Sequence, residues 1–225
     1  MSMSISFSEK LKHNNIDTWN KILNHNFITE IAENVLPIIK FIFYLKQDKI
    51  FLQAFCNLLT MASTITNDKE IKLWFEAIME STTKYEITMQ DEILQRLDNN
   101  YLNSGVSAEN VTRDYITYMN SVSNSEDLAL IVSTIAPCPW TYHEISNALI
   151  NKDINSEAFK KWLQFYSSKE SANQVSQIKE LLNKLALNTD EKKIEMKNHF
   201  SVSCNYELKF WDMAYSYRKE AVGPK

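Results

Sequence analysis

Asn67-Asp68-Lys69-Glu70-Ile71-Lys72-Leu73-Trp74-Phe75-Glu76-Ala77-Ile78-Met79 carries the pattern that decides the fold. Its apolar residues Ile71, Trp74, Phe75, Ile78 and Met79 recur at the i, i+3, i+4, i+7, i+8 spacing of one helix face. Asn67 followed three residues later by Glu70 has the form of a capping box and predicts a helix start there. The rest of the chain has the same texture. Only two glycines and four prolines occur in 225 residues, which leaves almost none of the punctuation that hairpins and tight turns need. The expected fold is all-α: one helical domain over 1–225, built from roughly eight or nine helices, with 219–225 as a loose C-terminal tail.

Working outward, the pattern predicts a helix from Ser8 to Asn24, a short one from His25 to Glu33, and a long one opened by Pro37 and running to Thr66. Asn99 to Ser107, with Gly105, reads as a connection, and Ser107 is placed to cap a helix carrying Val111, Tyr115, Tyr118, Met119 and Val122 on one face. A helix from Ser125 stops at Pro137. The next starts at Pro139 and runs to Ile150, because two prolines around Cys138 break the ladder of backbone hydrogen bonds. Helices over Ser156–Glu170, Ser171–Leu187 and Thr189–Arg218 complete the reading.

A net charge of −4 with scattered lysines provides no basic stripe, which argues against nucleic acid as a partner. No apolar run reaches the ~18 residues of a membrane span, and the start of the chain lacks the pattern of a secretory signal, so a cytoplasmic location without membrane contact is expected. Cys56, Cys138 and Cys204 are too scattered for a disulfide framework or a zinc site. The four histidines form no E-x-x-H pair, so no metal or cofactor is implied.

Three polar residues fall where the pattern calls for something else. Asp48 lies on a face otherwise made of Phe41, Tyr44, Leu45, Phe51, Leu52 and Phe55. A carboxylate there is either a structural hydrogen-bond hub or a ligand-binding group. Glu207 shares its face with Phe210, Trp211 and Ala214. It reads either as a glutamate desolvated enough to hold a proton near neutral pH, as a general acid must, or as a helix-edge residue paired with a lysine. Cys138, in Ala136-Pro137-Cys138-Pro139-Trp140-Thr141-Tyr142, is expected at a helix N-cap, where free N–H groups and the helix dipole lower a thiol pKa. Tyr142 is one turn further along the same face. A lone cysteine also fits a purely structural role.

Five stretches in this order resemble the TenA family, also called thiaminase II or aminopyrimidine aminohydrolase, over nearly the whole chain. They are F-S-E-K-L near the start, Y-L-K-Q-D around Asp48, A-P-C-P-W-T-Y-H-E-I around Cys138, W-L-Q-F-Y-S-S-K-E around Tyr166, and Y-E-L-K-F-W-D-M-A-Y around Glu207. The resemblance implies a haem-oxygenase-like helical fold, and Cys138 places the chain in the cysteine-containing branch. It implies Cys138 as nucleophile, Glu207 as acid/base, Tyr166 in a hydrogen-bond network with Glu207, Asp48 gripping an aminopyrimidine ring, and Phe51, Tyr115, Tyr142 and Phe210 as further pocket residues. Two departures stand out: Phe51 where the family commonly has tyrosine, and His25-Asn26-Phe27 where it has His-Pro-Phe. The implied substrates are an aminopyrimidine or thiamine, with no cofactor, in a homotetramer. A pyrimidine-binding protein without turnover and a regulatory protein of the same fold are the alternatives.

Overall fold

Asn15 interrupts the first expected helix. Its backbone leaves the helical region, and its side-chain amide donates to the Leu11 carbonyl at 2.8 Å, so two short helices form, α1 (Phe7–Asn14) and α2 (Ile16–Leu23). The computed structural model describes residues 5–98, 106–187 and 189–218. The expected tail at 219–225 and most of the expected connection after Asn99 lie outside the described residues. After α3 (Asn26–Ala32), Pro37 precedes the 28-residue α4 (Ile38–Ile65), as its fixed φ and missing N–H favour. Then come α5 (Lys69–Ser81), a π-helical turn (Thr82–Glu86) and α6 (Ile87–Leu97). The chain continues through α7 (Asn110–Ser123), α8 (Leu128–Ile135), α9 (Pro137–Leu149), α10 (Glu157–Tyr166), α11 (Lys169–Leu185) and α12 (Asp190–Ser216). The described residues thus contain more, shorter helices than expected, and no strand.

Several expected starts move by a few residues, each for a visible reason. Asp68, rather than Asn67, caps α5 by accepting from the Glu70 and Ile71 amides, so Glu70 is too near the start to close a capping box. Asp127, rather than Ser125, caps α8. Ser156, Ser168 and Thr189 cap the last three helices, which puts the α10–α11 break at Ser167–Ser168. Ser107 does not cap α7, which begins after Glu109 without a side-chain cap of its own. Gln47 on α4 serves instead, its Oε1 accepting from the Glu109 amide (2.9 Å) and the Thr112 hydroxyl (2.8 Å) while its Nε2 donates to the Ser107 carbonyl (3.0 Å).

Helix α4 packs against α5, α6, α7, α8 and α12, and α12 packs against α2, α4, α7, α8 and α9, so these two long helices form the axis of the bundle. One continuous core surrounds them, rich in rings: Trp19, Trp140, Trp162, Trp211, Phe27 and Phe41 are fully buried. Phe41 meets Phe159 edge-on at 4.8 Å, and Trp211 stacks between Phe27 (5.1 Å) and Tyr142 (5.3 Å). Burying each such ring contributes about 1.5–3 kcal/mol, and good ring geometry adds to it. Both α4 and α12 carry a carboxylate into this core.

Candidate functional site

Asp48 is only 3% exposed at the middle of α4. Its Oδ2 accepts from Gln90 Nε2 on α6 (2.6 Å) and from the Tyr44 hydroxyl (3.2 Å), and that hydroxyl in turn accepts from Trp162 Nε1 (3.2 Å). Burial, then the neighbouring Glu86, push the Asp48 carboxyl well above its ordinary value, against the opposing pull of Gln90.

Glu207 on α12 is equally buried, and its Oε1 accepts from the Tyr115 hydroxyl on α7 at 2.9 Å. Burial raises its pKa to about 7, with the Tyr115 bond pulling the other way. The glutamate is desolvated by its aromatic surroundings, and no lysine pairs with it among the described residues. Phe51 stacks obliquely on Tyr115 (4.9 Å) and meets Phe210 edge-on (6.1 Å) beside Asp48 and Glu207.

Tyr166 departs from its expected partner. Its hydroxyl donates to Glu86 Oε1 at 2.6 Å, leaving Tyr115 as the protein partner of Glu207. The last residue of α10, Tyr166 is held by its own carbonyl, 2.9 Å from Nδ1 of His143 on α9. Glu86 closes the π turn, and burial raises its pKa to about 7 despite hydrogen bonds from Tyr166 and Thr82. Neither Glu86 nor Gln90 is among the residues singled out from the sequence. A signal for them exists. Ile78, Thr82, Glu86, Gln90 and Leu94 recur every fourth residue, and three polar groups interrupt that row, buried but for the half-buried Glu86, just as Asp48 interrupts α4.

Cys138 stands among these groups, in a setting that corrects two expectations. Helix α9 begins at Pro137, so Cys138 lies within the first turn and not at the N-cap. Burial, followed by Glu207, Asp48 and Glu86, pushes the thiol well above its ordinary value; these outweigh the helix dipole, and the free protein holds a thiol rather than a thiolate. The Tyr142 ring meets Tyr166 edge-on at 5.0 Å, and its hydroxyl is hydrogen-bonded to Tyr44. Cys56 and Cys204 are buried in the core, their thiols raised by burial, to about 11 in the case of Cys56.

A cavity of about 650 Å³ opens onto this cluster through Cys138, Glu86 and Tyr166, and extends between α5 and α11. The inner group of Asp48, Phe51, Tyr115, Tyr142, Glu207 and Phe210 is behind that wall. Glu144 offers a contrast within the same molecule. Burial pushes it up, but Lys12 and the indole N–H groups of Trp19 and Trp140 hold it below its ordinary value. No lysine or arginine pairs with Asp48, Glu86 or Glu207 among the described residues, so no cation opposes the rise that burial causes in all three.

Fold and site together define a helical bundle enclosing a thiol, three carboxyls whose pKa values are raised, and a ring-lined cavity. The chain belongs to the TENA/THI-4/PQQC family, whose model matches residues 13–217. It is 26% identical to the aminopyrimidine aminohydrolase of Bacillus subtilis (strain 168), over 96% of this chain and 92% of that protein. Relatives from other bacteria carry the same description. Among solved structures, the TenA homologue of P. horikoshii OT3 superposes with a TM-score of 0.84 at 21% identity, covering 94% of this chain and 99% of that one. A domain from Shewanella denitrificans with a heme oxygenase-like fold superposes at 0.73 and 14% identity, covering 94% and 93%. The bundle is therefore of the haem-oxygenase-like type. Among the described residues no helix is long and apolar enough to cross a membrane.

Proposed function

We propose that this chain is an aminopyrimidine aminohydrolase of thiamine salvage. Its reaction is the hydrolysis of 4-amino-5-aminomethyl-2-methylpyrimidine, and of thiamine, to 4-amino-5-hydroxymethyl-2-methylpyrimidine. The observation that carries this reading is the placement of Cys138 on a cavity wall within electrostatic reach of Glu207, whose pKa of about 7 suits a proton donor at neutral pH. The family and the description shared by its bacterial relatives support the same chemistry.

Asp48 uses Oδ2 for both of its protein donors, so Oδ1 is left to the ring. A protonated Asp48 both donates and accepts, which matches the adjacent amino group and ring nitrogen of an aminopyrimidine. Phe51 and Phe210 supply flat apolar walls. The sulfur of Cys138 bonds to a ring carbon as its proton passes to a neighbouring carboxylate, while Glu207 gives its proton to a ring nitrogen. The leaving group departs with the electron pair of its bond to the exocyclic carbon. Water adds to that carbon, the carbon–sulfur bond breaks, and the protons return to Glu207 and Cys138. A cationic substrate offsets the carboxyls around the thiol and so promotes its ionisation when it is needed. Tyr166 orients Glu86.

The test is incubation of the purified protein with each substrate, following the hydroxymethylpyrimidine by chromatography. Product is expected from at least one, and none from either would overturn the assignment. The family resemblance further implies a cytoplasmic homotetramer, to be checked by light scattering.

A further inference from the structure

The proposed substrates share a pyrimidine and differ in what is attached to its exocyclic carbon: a primary ammonium in one, a thiazolium in the other. Both groups are cations. The inner cluster is where the pyrimidine is proposed to bind, and none of its residues lines the 650 Å³ cavity beyond Cys138, which is far larger than an ammonium. Its carboxylates are Glu80, Glu86 and Glu170; Glu80 is paired with Lys84 at 2.5 Å, whereas Glu86 and Glu170 pair with no lysine or arginine among the described residues. Its rings include Trp74 and Phe165, and the buried Trp74 Nε1 has no hydrogen-bond partner. The unpaired Glu86 and Glu170 beside aromatic faces have the chemistry of a cation site.

Glu86 occupies the junction. It lines the cavity together with Cys138, and Tyr166 and Thr82 fix its carboxylate. It ends a π-helical turn, and such turns, where one extra residue is fitted into a helix, recur at functional sites. Its side chain receives no lysine or arginine among the described residues, unlike Glu144.

We infer that this cavity is a leaving-group subsite selective for cations, with Glu86 as its anchor beside the scissile bond and Trp74 and Phe165 as the walls that accept the wider thiazolium. The subsite presupposes the pyrimidine chemistry proposed above. In the hydrolysis the carbon–nitrogen bond breaks with its electrons going to nitrogen, so the cation leaves as a neutral amine or thiazole. The negative charge of Glu86 is then free to take a proton from the water that adds to the exocyclic carbon.

Binding separates the two layers of the reading. In Cys138→Ser, which cannot form the covalent bond, calorimetry at about pH 8 compares thiamine, the aminomethylpyrimidine and the uncharged hydroxymethylpyrimidine. The two cations are expected to bind at least about tenfold more tightly than the neutral compound. Adding Glu86→Gln, which retains an acceptor for Tyr166, should erase about tenfold of that preference and leave the neutral compound within about twofold. Glu86→Asp keeps the charge and should keep most of the preference. An equal loss for all three compounds, or no loss for the cations, would overturn the subsite while the ring pocket stands. Should Glu86→Gln fail to fold, the ratio in Cys138→Ser alone decides, and a ratio of one or less overturns the subsite. No binding of any of the three overturns the subsite and the parent reading together.

Discussion

Cys138 shows how far a single residue can be judged before its neighbours are known. Prolines on both sides mark it as unusual, and its place in the first turn of α9 gives it the helix dipole that favours a thiolate, though the two prolines offer no N–H to it. Burial, and after it Glu207, Asp48 and Glu86 from three other segments, reverse the outcome and raise the thiol pKa. No local rule could reveal that, because the opposing charges are 50 to 90 residues away in the chain. Slow alkylation by iodoacetamide near neutral pH is therefore expected of the free protein. Glu207→Gln removes one negative charge at about pH 8, so the thiol pKa falls, the thiolate fraction rises, and alkylation should speed up, about tenfold for each unit of pKa. The same substitution removes the proposed acid, and turnover should drop by about 10²–10⁴. Faster alkylation with slower turnover would separate the two effects of Glu207; unchanged alkylation would contradict the electrostatic account of the thiol.

At the scale of elements, the rows of buried residues were legible and the interruptions less so. Periodicity placed the long helix α4 almost to the residue and drew attention to Asp48, because a carboxylate among phenylalanines breaks a repeating pattern. It passed over Glu86, since the π turn changes the helical repeat just where the row of Ile78, Thr82, Glu86 and Gln90 becomes polar. It also gave Ser107 a capping role that a residue 60 positions earlier performs. Gln47 is 1% exposed and makes three hydrogen bonds to the start of α7, a long-range cap with no local signature. Gln47→Leu leaves the Glu109 amide and the Thr112 hydroxyl without their acceptor and should cost about 1–3 kcal/mol, lowering Tm by roughly 2–4 °C per kcal/mol. Tyr115, the partner of Glu207, is on that same helix, so kcat should fall along with stability. A Tm within about 1 °C of the parent protein's would mean that α7 does not depend on this cap.

For the molecule as a whole, the bundle was legible because scarce glycine and proline, continuous 3.6-residue periodicity and the five family stretches all point to one architecture. The electrostatic cost of the site was legible only at Glu207, whose aromatic face signals desolvation; at Glu86 it comes from burial that no local pattern marks. Glu207 has a folded pKa of about 7 against an ordinary value of 4.5, and Glu86 is raised similarly. Below about pH 4.5 each is protonated both folded and unfolded, so neither affects stability. Between about 4.5 and 7 the unfolded chain releases these protons while the folded chain retains them, and stability falls as pH rises. For the nearly inaccessible Glu207 the loss is on the order of 3 kcal/mol, complete above about pH 7. Glu144 and Asp127, whose folded pKa values are lowered, act in the opposite sense and in a more acidic window. Urea unfolding followed from about pH 5 to pH 8 should therefore show the free protein weakening across neutrality. Glu207→Gln should flatten that slope and be the more stable protein at about pH 8, though nearly inactive. A parent slope of zero in this window, or a Glu207→Gln variant no more stable than its parent at about pH 8, would show that the folded chain relaxes around the charged carboxylate. The thiol would then sit in a far weaker field than the closed structure implies.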